Sequence, residues 1–168
     1  RYRVALATAS VGFPEVNLGI VPGAGGTVRT PRFASVETAV ELVTGGKPLR
    51  AEKALQAGLI DQIIDGDLVS GSVAFAAQAA NHPMPETARM RPIAPVEDKF
   101  WDEAEQALRK RLRGEVAPLR ALACLRHACS SDFDKALAFE RETFMQLRTS
   151  AQALALRHIF FSERAAPR

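Results

Sequence analysis

Hydrophobic and polar positions divide the chain into three stretches. Near the start, Tyr2, Val4 and Leu6 alternate with Arg3 and Ala5, a period of two that predicts a short strand. Turn formers then crowd together. Gly12, Gly19, Gly23, Gly25 and Gly26 surround Phe13-Pro14-Glu15 and Val21-Pro22-Gly23, so this part is loop-rich. Ser35 is a suitable N-cap for a helix over Val36–Val43, and Thr44-Gly45-Gly46 stops it. A second short helix runs from Arg50 or Ala51 to Ala57, with Gly58 just past its end. Leu59–Ile64 is apolar and β-branched and reads as a strand, after which Asp65-Gly66-Asp67 turns the chain.

The remainder is helical in pattern. Val73–Ala80 predicts an alanine-rich helix ended by Asn81-His82-Pro83. Pro83, Pro85, Pro92 and Pro95 mark an extended linker from about 82 to 96. Beyond it three apolar stripes recur at helical spacing. The first is Phe100, Trp101, Ala104, Leu108 and Leu112, and the second is Leu119, Leu122, Ala123 and Leu125. The third is Phe133, Leu137, Phe144, Leu147, Ala151 and Leu154. Such faces need a partner surface to bury them. The expected organisation is therefore 1–69, a loop-rich α/β part; 70–96, a helix and linker; and 97–168, a helical docking region.

Composition narrows the class. At 168 residues, with 47% apolar and 24% charged positions, the chain is sized and balanced as one soluble globular domain. No apolar run approaches the ~18 residues of a membrane span. Two cysteines, Cys124 and Cys129, exclude a disulfide scaffold and a zinc site of their own, and read as buried reduced thiols. The net charge is +3, and no block of five consecutive like charges occurs, so no nucleic-acid or membrane partner is expected. The chain begins at Arg1 without a signal-peptide pattern, as though entered partway. The end, Ala165-Ala166-Pro167-Arg168, carries no organelle-targeting tripeptide, and a cytoplasmic location is expected.

Four features are candidates for chemistry. Glu15 sits in a turn beside the glycine-rich loop, where surroundings tune a carboxylate for proton transfer, although a surface turn glutamate has the same local sequence. The loop Val21–Thr27 lets backbone N–H groups approach an oxygen-rich ligand. It is not a dinucleotide fingerprint, which needs glycine at Val28. Nor is Gly45-Gly46-Lys47 a phosphate-binding Walker loop, since Pro48 follows and Glu41 stands where glycine belongs. His82, His127 and His158 lack metal-ligand spacing, and Cys124 with His127 reads as a packed pair on one helix face. Arg109-Lys110-Arg111-Leu112-Arg113, with Arg120 and Arg126, is either a solvated face or an anion-binding patch; no aromatics interleave for single-strand stacking.

Read together, Phe13 through Thr27 (FPEVNLGIVPGAGGT) resembles the signature segment of the crotonase, or enoyl-CoA hydratase/isomerase, superfamily. Arg29, Pro31 and Arg32 continue the family's pattern. So do Thr44-Gly45-Gly46-Lys47 and the run from Ala51-Glu52 to Gly58-Leu59-Ile60-Asp61. Phe139-Glu140-Arg141-Glu142, Phe144, Leu147, Ser150, Gln152 and Ala155 through Arg164 resemble the helical linker of multifunctional β-oxidation enzymes. In those proteins a hydratase precedes an NAD-dependent 3-hydroxyacyl-CoA dehydrogenase. The expected fold is an α/β crotonase-like fragment, predominantly helical in its C-terminal part.

The resemblance implies addition of water across a 2-enoyl-CoA double bond, with a possible Δ3–Δ2-enoyl-CoA isomerase activity. Glu15 matches the second of two catalytic glutamates, which exchanges a proton with the substrate's α-carbon. Gly23 matches the position whose backbone N–H helps hold the reacting water, and Pro14, Leu18 and Pro22 would contact substrate. The first glutamate, some twenty residues upstream in the family, and both oxyanion-hole donors would precede Arg1. The chain is thus expected to be inactive alone. No metal and no cofactor are implied: acyl-CoA thioester is the substrate of the intact parent, and NAD belongs to the dehydrogenase domain. That domain, or another subunit, would pack on the C-terminal helices. Two other classes remain at this stage, a non-catalytic helical interaction module and an anion-binding module using Arg109–Arg113. Missing strands would also leave residues 1–64 with exposed apolar surface.

Overall fold

The computed structural model describes residues 1–166; Pro167 and Arg168, and with them the end of the predicted C-terminal tail, lie outside the described residues. Two small sheets open the fold. Strand β1 (Val4–Leu6) pairs in parallel with β4 (Gln62–Ile64), Val4 facing Gln62 and Leu6 facing Ile64. Arg3 and Asp61 clamp the start of this pair: Asp61 N–H donates to the Arg3 carbonyl at 2.7 Å, and the Arg3 guanidinium meets the Asp61 carboxylate at 3.0 Å. Strand β2 (Ser10–Val11) pairs antiparallel with β3 (Leu49–Arg50).

Leu59–Ile64 is a strand only from Gln62. The N–H groups of Leu59 and Ile60 are directed to the Ala54 carbonyl, closing helix α3 (Ala51–Gln56), so these residues have no donors left for a ladder. Their side chains instead join Leu42, Ala51 and Ala54 in a buried cluster. Gly58, at φ 75°, makes the left-handed turn that permits this, as a residue just past a helix end commonly does.

Helix α1 (Gly26–Arg29) and a 3₁₀ turn at Thr30–Arg32 lead into α2 (Val36–Gly45). Ser35 caps α2 through the Thr38 N–H, and the helix runs two residues beyond the expected Val43 because the left-handed turn falls at Gly46, φ 65°. Helix α4 (Leu68–Ala79) starts five residues before the apolar run at Val73, since the Asp67 carboxylate accepts the Ser70 N–H and caps it there. No described regular element lies between α4 and α5 (Asp98–Arg111), in keeping with the proline spacing. Helix α6 (Ala117–Ser130) follows. The third apolar stripe is two helices rather than one, α7 (Phe133–Arg148) and α8 (Ala151–Ala165), because Ser150 accepts the Ala153 N–H and opens a new helix.

The main core crosses the composition boundaries at 69 and 96. Val16 and Val21 from the loop region and Val36, Ala39 and Val43 of α2 pack with Trp101, Leu108, Leu122, Leu125 and Leu147. Leu125 has no exposed surface, so Leu125→Ala removes a fully packed side chain. We expect it to lower stability by about 2–5 kcal/mol, read from a urea unfolding midpoint.

Apolar exposure concentrates away from residues 1–64, where only Tyr2 and Leu55 are exposed large hydrophobics among the described residues. The β1–β4 pair and α3 already cover most of that region's apolar side chains. Much of the uncovered surface lies on α4, none of whose residues is buried and whose Val69 and Val73 are 70% and 65% exposed, and on α8 at Leu154, Ile159 and Phe161, with Met84 and Met90 exposed between α4 and α5.

The cysteines also depart in part from expectation. Both are free, but Cys124 is buried while Cys129 is half-buried. Burial pushes both thiols from 9.0 up to about 11. Their native forms therefore hold protons that the unfolded chain releases, so this contribution to stability is present below pH 9 and is lost as pH rises through 11. At pH 8 the shift alone cuts the thiolate fraction about 100-fold. A maleimide or disulfide reagent should accordingly label the native protein at least that much more slowly than the protein in denaturant.

Candidate active site

Glu15 belongs to a 3₁₀ turn, Pro14–Leu18, entered through a proline and closed by Gly19 at φ 73°. The backbone then doubles back: Ile20 N–H donates to the Glu15 carbonyl at 3.2 Å. This return brings the glycine loop over the carboxylate. Glu15, Pro22 and Gly23 line one cavity of about 240 Å³ together with Ala24, Gly25 and Gly26. Pro14 and Leu18 lie on the same turn but not along this cavity, Pro14 being exposed and Leu18 half-buried.

The carboxylate itself is unusual. Glu15 Oε2 is buried and has no hydrogen-bond partner among the described residues. Buried polar atoms in folded proteins almost always have partners, so an orphan acceptor beside a cavity marks a place where a ligand or water completes the bonding.

Behind the loop stands a residue that the sequence places only within the helical-linker resemblance. Glu140, from α7, is 1% exposed. Its carboxylate accepts the Gly25 N–H at 2.5 Å, the Thr27 N–H at 2.7 Å and the Thr27 hydroxyl at 2.6 Å. Burial raises its pKa above the usual carboxylate range, and the hydrogen bonds from Thr27 and Gly25 oppose that rise. The signal was present in the sequence. Phe133, Ala136, Glu140, Thr143 and Leu147 form the buried face of α7, so one carboxylate interrupts an otherwise apolar and small-residue stripe.

The remaining candidates disperse. His127 stacks on Phe139 with ring centroids 4.4 Å apart, a packing role, whereas His82 and His158 are exposed. The basic cluster is partly neutralised: Arg109 pairs with Glu105, and Arg126 reaches Asp98 and Asp102. Arg120 donates to the Gln146 side chain. Arg111 lines a separate cavity of about 400 Å³ with Lys47 and Glu115.

Residues 2–121 match the family model described as enoyl-CoA hydratase/isomerase. The chain belongs to this family. Its fold is the α/β crotonase-like one, rich in helix, as its likeness to solved structures also shows. It superposes on the carnitinyl-CoA hydratase of Mycobacterium avium with a TM-score of 0.60 and 26% identity, covering 96% of this chain and 52% of that one. On a carnitinyl-CoA dehydratase of Mycobacterium thermoresistibile the TM-score is 0.66 at 18% identity, a likeness of fold alone. Among curated relatives, the peroxisomal bifunctional enzyme of Cavia porcellus is 36% identical over 170 residues, and that of Homo sapiens is 36% identical over 169. These alignments take in 99% and 98% of this chain but 23% of each relative, so the hydratase/isomerase family member spans about a quarter of their length. They also run past residue 121, where the family model ends, so α7 and α8 have counterparts in the bifunctional enzymes. Among the described residues, no helix is long and apolar enough to cross a membrane.

Proposed function

We propose that this chain forms the second half of a 2-enoyl-CoA hydratase domain within a multifunctional β-oxidation enzyme. The observation that carries the proposal is the unpartnered, buried Glu15 Oε2 at the wall of the cavity under Gly23–Gly26. A carboxylate held without a protein partner is free to take a proton from, or return it to, a reacting carbon. The Gly23 N–H, on the same cavity, would orient the attacking water, and Pro22 would shape the acyl passage. Pro14 and Leu18 would act from the outer side of the turn, on parts of the substrate beyond this cavity. No metal or other cofactor takes part in this chemistry; the CoA thioester is substrate.

The other half of the chemistry lies elsewhere. Hydration develops negative charge on the thioester oxygen, which needs fixed N–H donors, and a second carboxylate must activate the water. We assign both to the portion of the domain absent from this chain, which covers about half of the solved structures it resembles. The same carboxylate geometry serves a double-bond shift, so isomerase activity is part of the proposal. A dehydrogenase domain or another subunit would cover the exposed faces of α4 and α8. The partial pairing of Arg109 and Arg126 with acidic neighbours weighs against a nucleic-acid site on the basic helix. Two unpaired thiols accord with a reducing compartment such as the cytoplasm, and imaging of tagged full-length protein decides between that and a peroxisomal location. The direct test of function is hydration of a short 2-enoyl-CoA by the full-length protein, followed at the loss of conjugated enoyl absorbance.

A further inference from the structure

We infer that Glu140 is a positioning residue of the active site, fixing the Gly23–Thr27 loop from behind, and that α7 is thereby part of the catalytic apparatus. This rests on the hydratase reading above. Helix α1 begins with free N–H groups, as every helix does, and its N-cap, Gly25, has no side chain to satisfy them. Gly25 also sits at φ 87°, where a serine or aspartate cap would be strained. The cap is supplied instead from 115 residues away along the sequence, by the Glu140 carboxylate.

The arrangement is reciprocal. The buried Glu140 carboxylate is stabilised by the Gly25 and Thr27 donors, with the nearby Arg29 guanidinium adding to them, against the cost of its burial. One turn along α7, the Phe144 ring closes on Gly23 so tightly that a Cβ there would lie 2.7 Å from it. Gly23 is thus braced by Phe144 and the following turn by Glu140, while their other side faces the Glu15 cavity. A loop whose backbone N–H must be aimed at a reacting water gains its precision from such bracing, because small misplacements of reacting groups cost large factors in rate.

The test uses full-length protein. Glu140→Gln keeps the shape but sets an amide donor against donors of the loop. We expect kcat for enoyl-CoA hydration to fall about 10- to 100-fold, with KM within about threefold, as loss of a charge-assisted hydrogen bond predicts. Hydrogen exchange at the Gly25 and Thr27 amides should quicken by about the same factor, while the amide of Val43, held within helix α2, changes little. Leu42→Ala, a buried change in a separate cluster, is the control: it destabilises the fold yet leaves kcat within about twofold. If Glu140→Gln does not fold, Thr27→Val removes one of the three bonds and should move kcat and exchange in the same direction, with Thr27→Ser recovering most of the loss. The inference is overturned if kcat stays within about twofold of wild type in the folded variant, or if exchange at Gly25 and Thr27 rises no more than at Val43. Should the wild type show no hydration, the hydratase reading fails, and the exchange measurement alone still decides whether Glu140 holds the loop.

Discussion

Glu15→Gln in the full-length protein should lower kcat for enoyl-CoA hydration by about 10²- to 10⁴-fold, the range that a positioned acid–base group contributes. It should do so without loss of stability. Oε2 of Glu15 makes no hydrogen bond within the described residues, so the substitution breaks no bond at that oxygen, and it removes a carboxylate that is partly buried without compensation. Melting temperature is expected to hold or rise. Lost activity with unchanged or greater stability is the mark of a residue kept for chemistry rather than for the fold. Hydration at the wild-type rate in this variant would remove Glu15 from the mechanism and with it the observation on which the functional proposal stands.

Much of the site could be read from residue order because its parts are local. Glu15, the return through Gly19 and the loop to Thr27 fall within thirteen consecutive residues, and proline and glycine punctuation dictates their path. Helix α2 and the break at Gly46 were legible for the same reason: a serine cap at one end and a glycine at the other are local signals. What escaped was set by distant partners. The shortening of the Leu59–Ile64 strand depends on the Ala54 carbonyl capturing two N–H groups, and nothing in an apolar β-branched run announces that competition. The division of the last stripe at Ser150 was readable as a cap, but the continuing apolar period concealed it. Glu140 was seen only as one residue of a helical linker. Its function as a remote cap appears once α7 is laid against the loop, although its place among Ala136, Thr143 and Leu147 was a clue.

The 168-residue chain by itself is expected to hydrate no 2-enoyl-CoA above the uncatalysed rate. On the hydratase reading proposed above, Glu15 is one of two catalytic carboxylates, and neither oxyanion donor is assigned to these residues. Removal of one oxyanion donor costs ~2.7–4 kcal/mol, about 10²–10³ in rate. Loss of a carboxylate costs about 10²–10⁴ more. Such effects are not fully additive, yet the loss of two donors and a carboxylate together exceeds the loss from any one of them. The surface argues in the same direction. Helix α4 buries none of its residues and presents Val69 and Val73 to solvent, with Ile159 and Phe161 exposed on α8. Surfaces of this kind in isolated chains drive self-association, so the chain should elute larger than one copy in gel filtration. The full-length protein, assayed beside it, must be active for the comparison to count. Clear turnover by the isolated chain would mean that the missing carboxylate and donors come from within these residues or from a second copy. Dilution separates the two, since a site shared between copies loses specific activity as the oligomer dissociates, whereas a site complete in one copy does not.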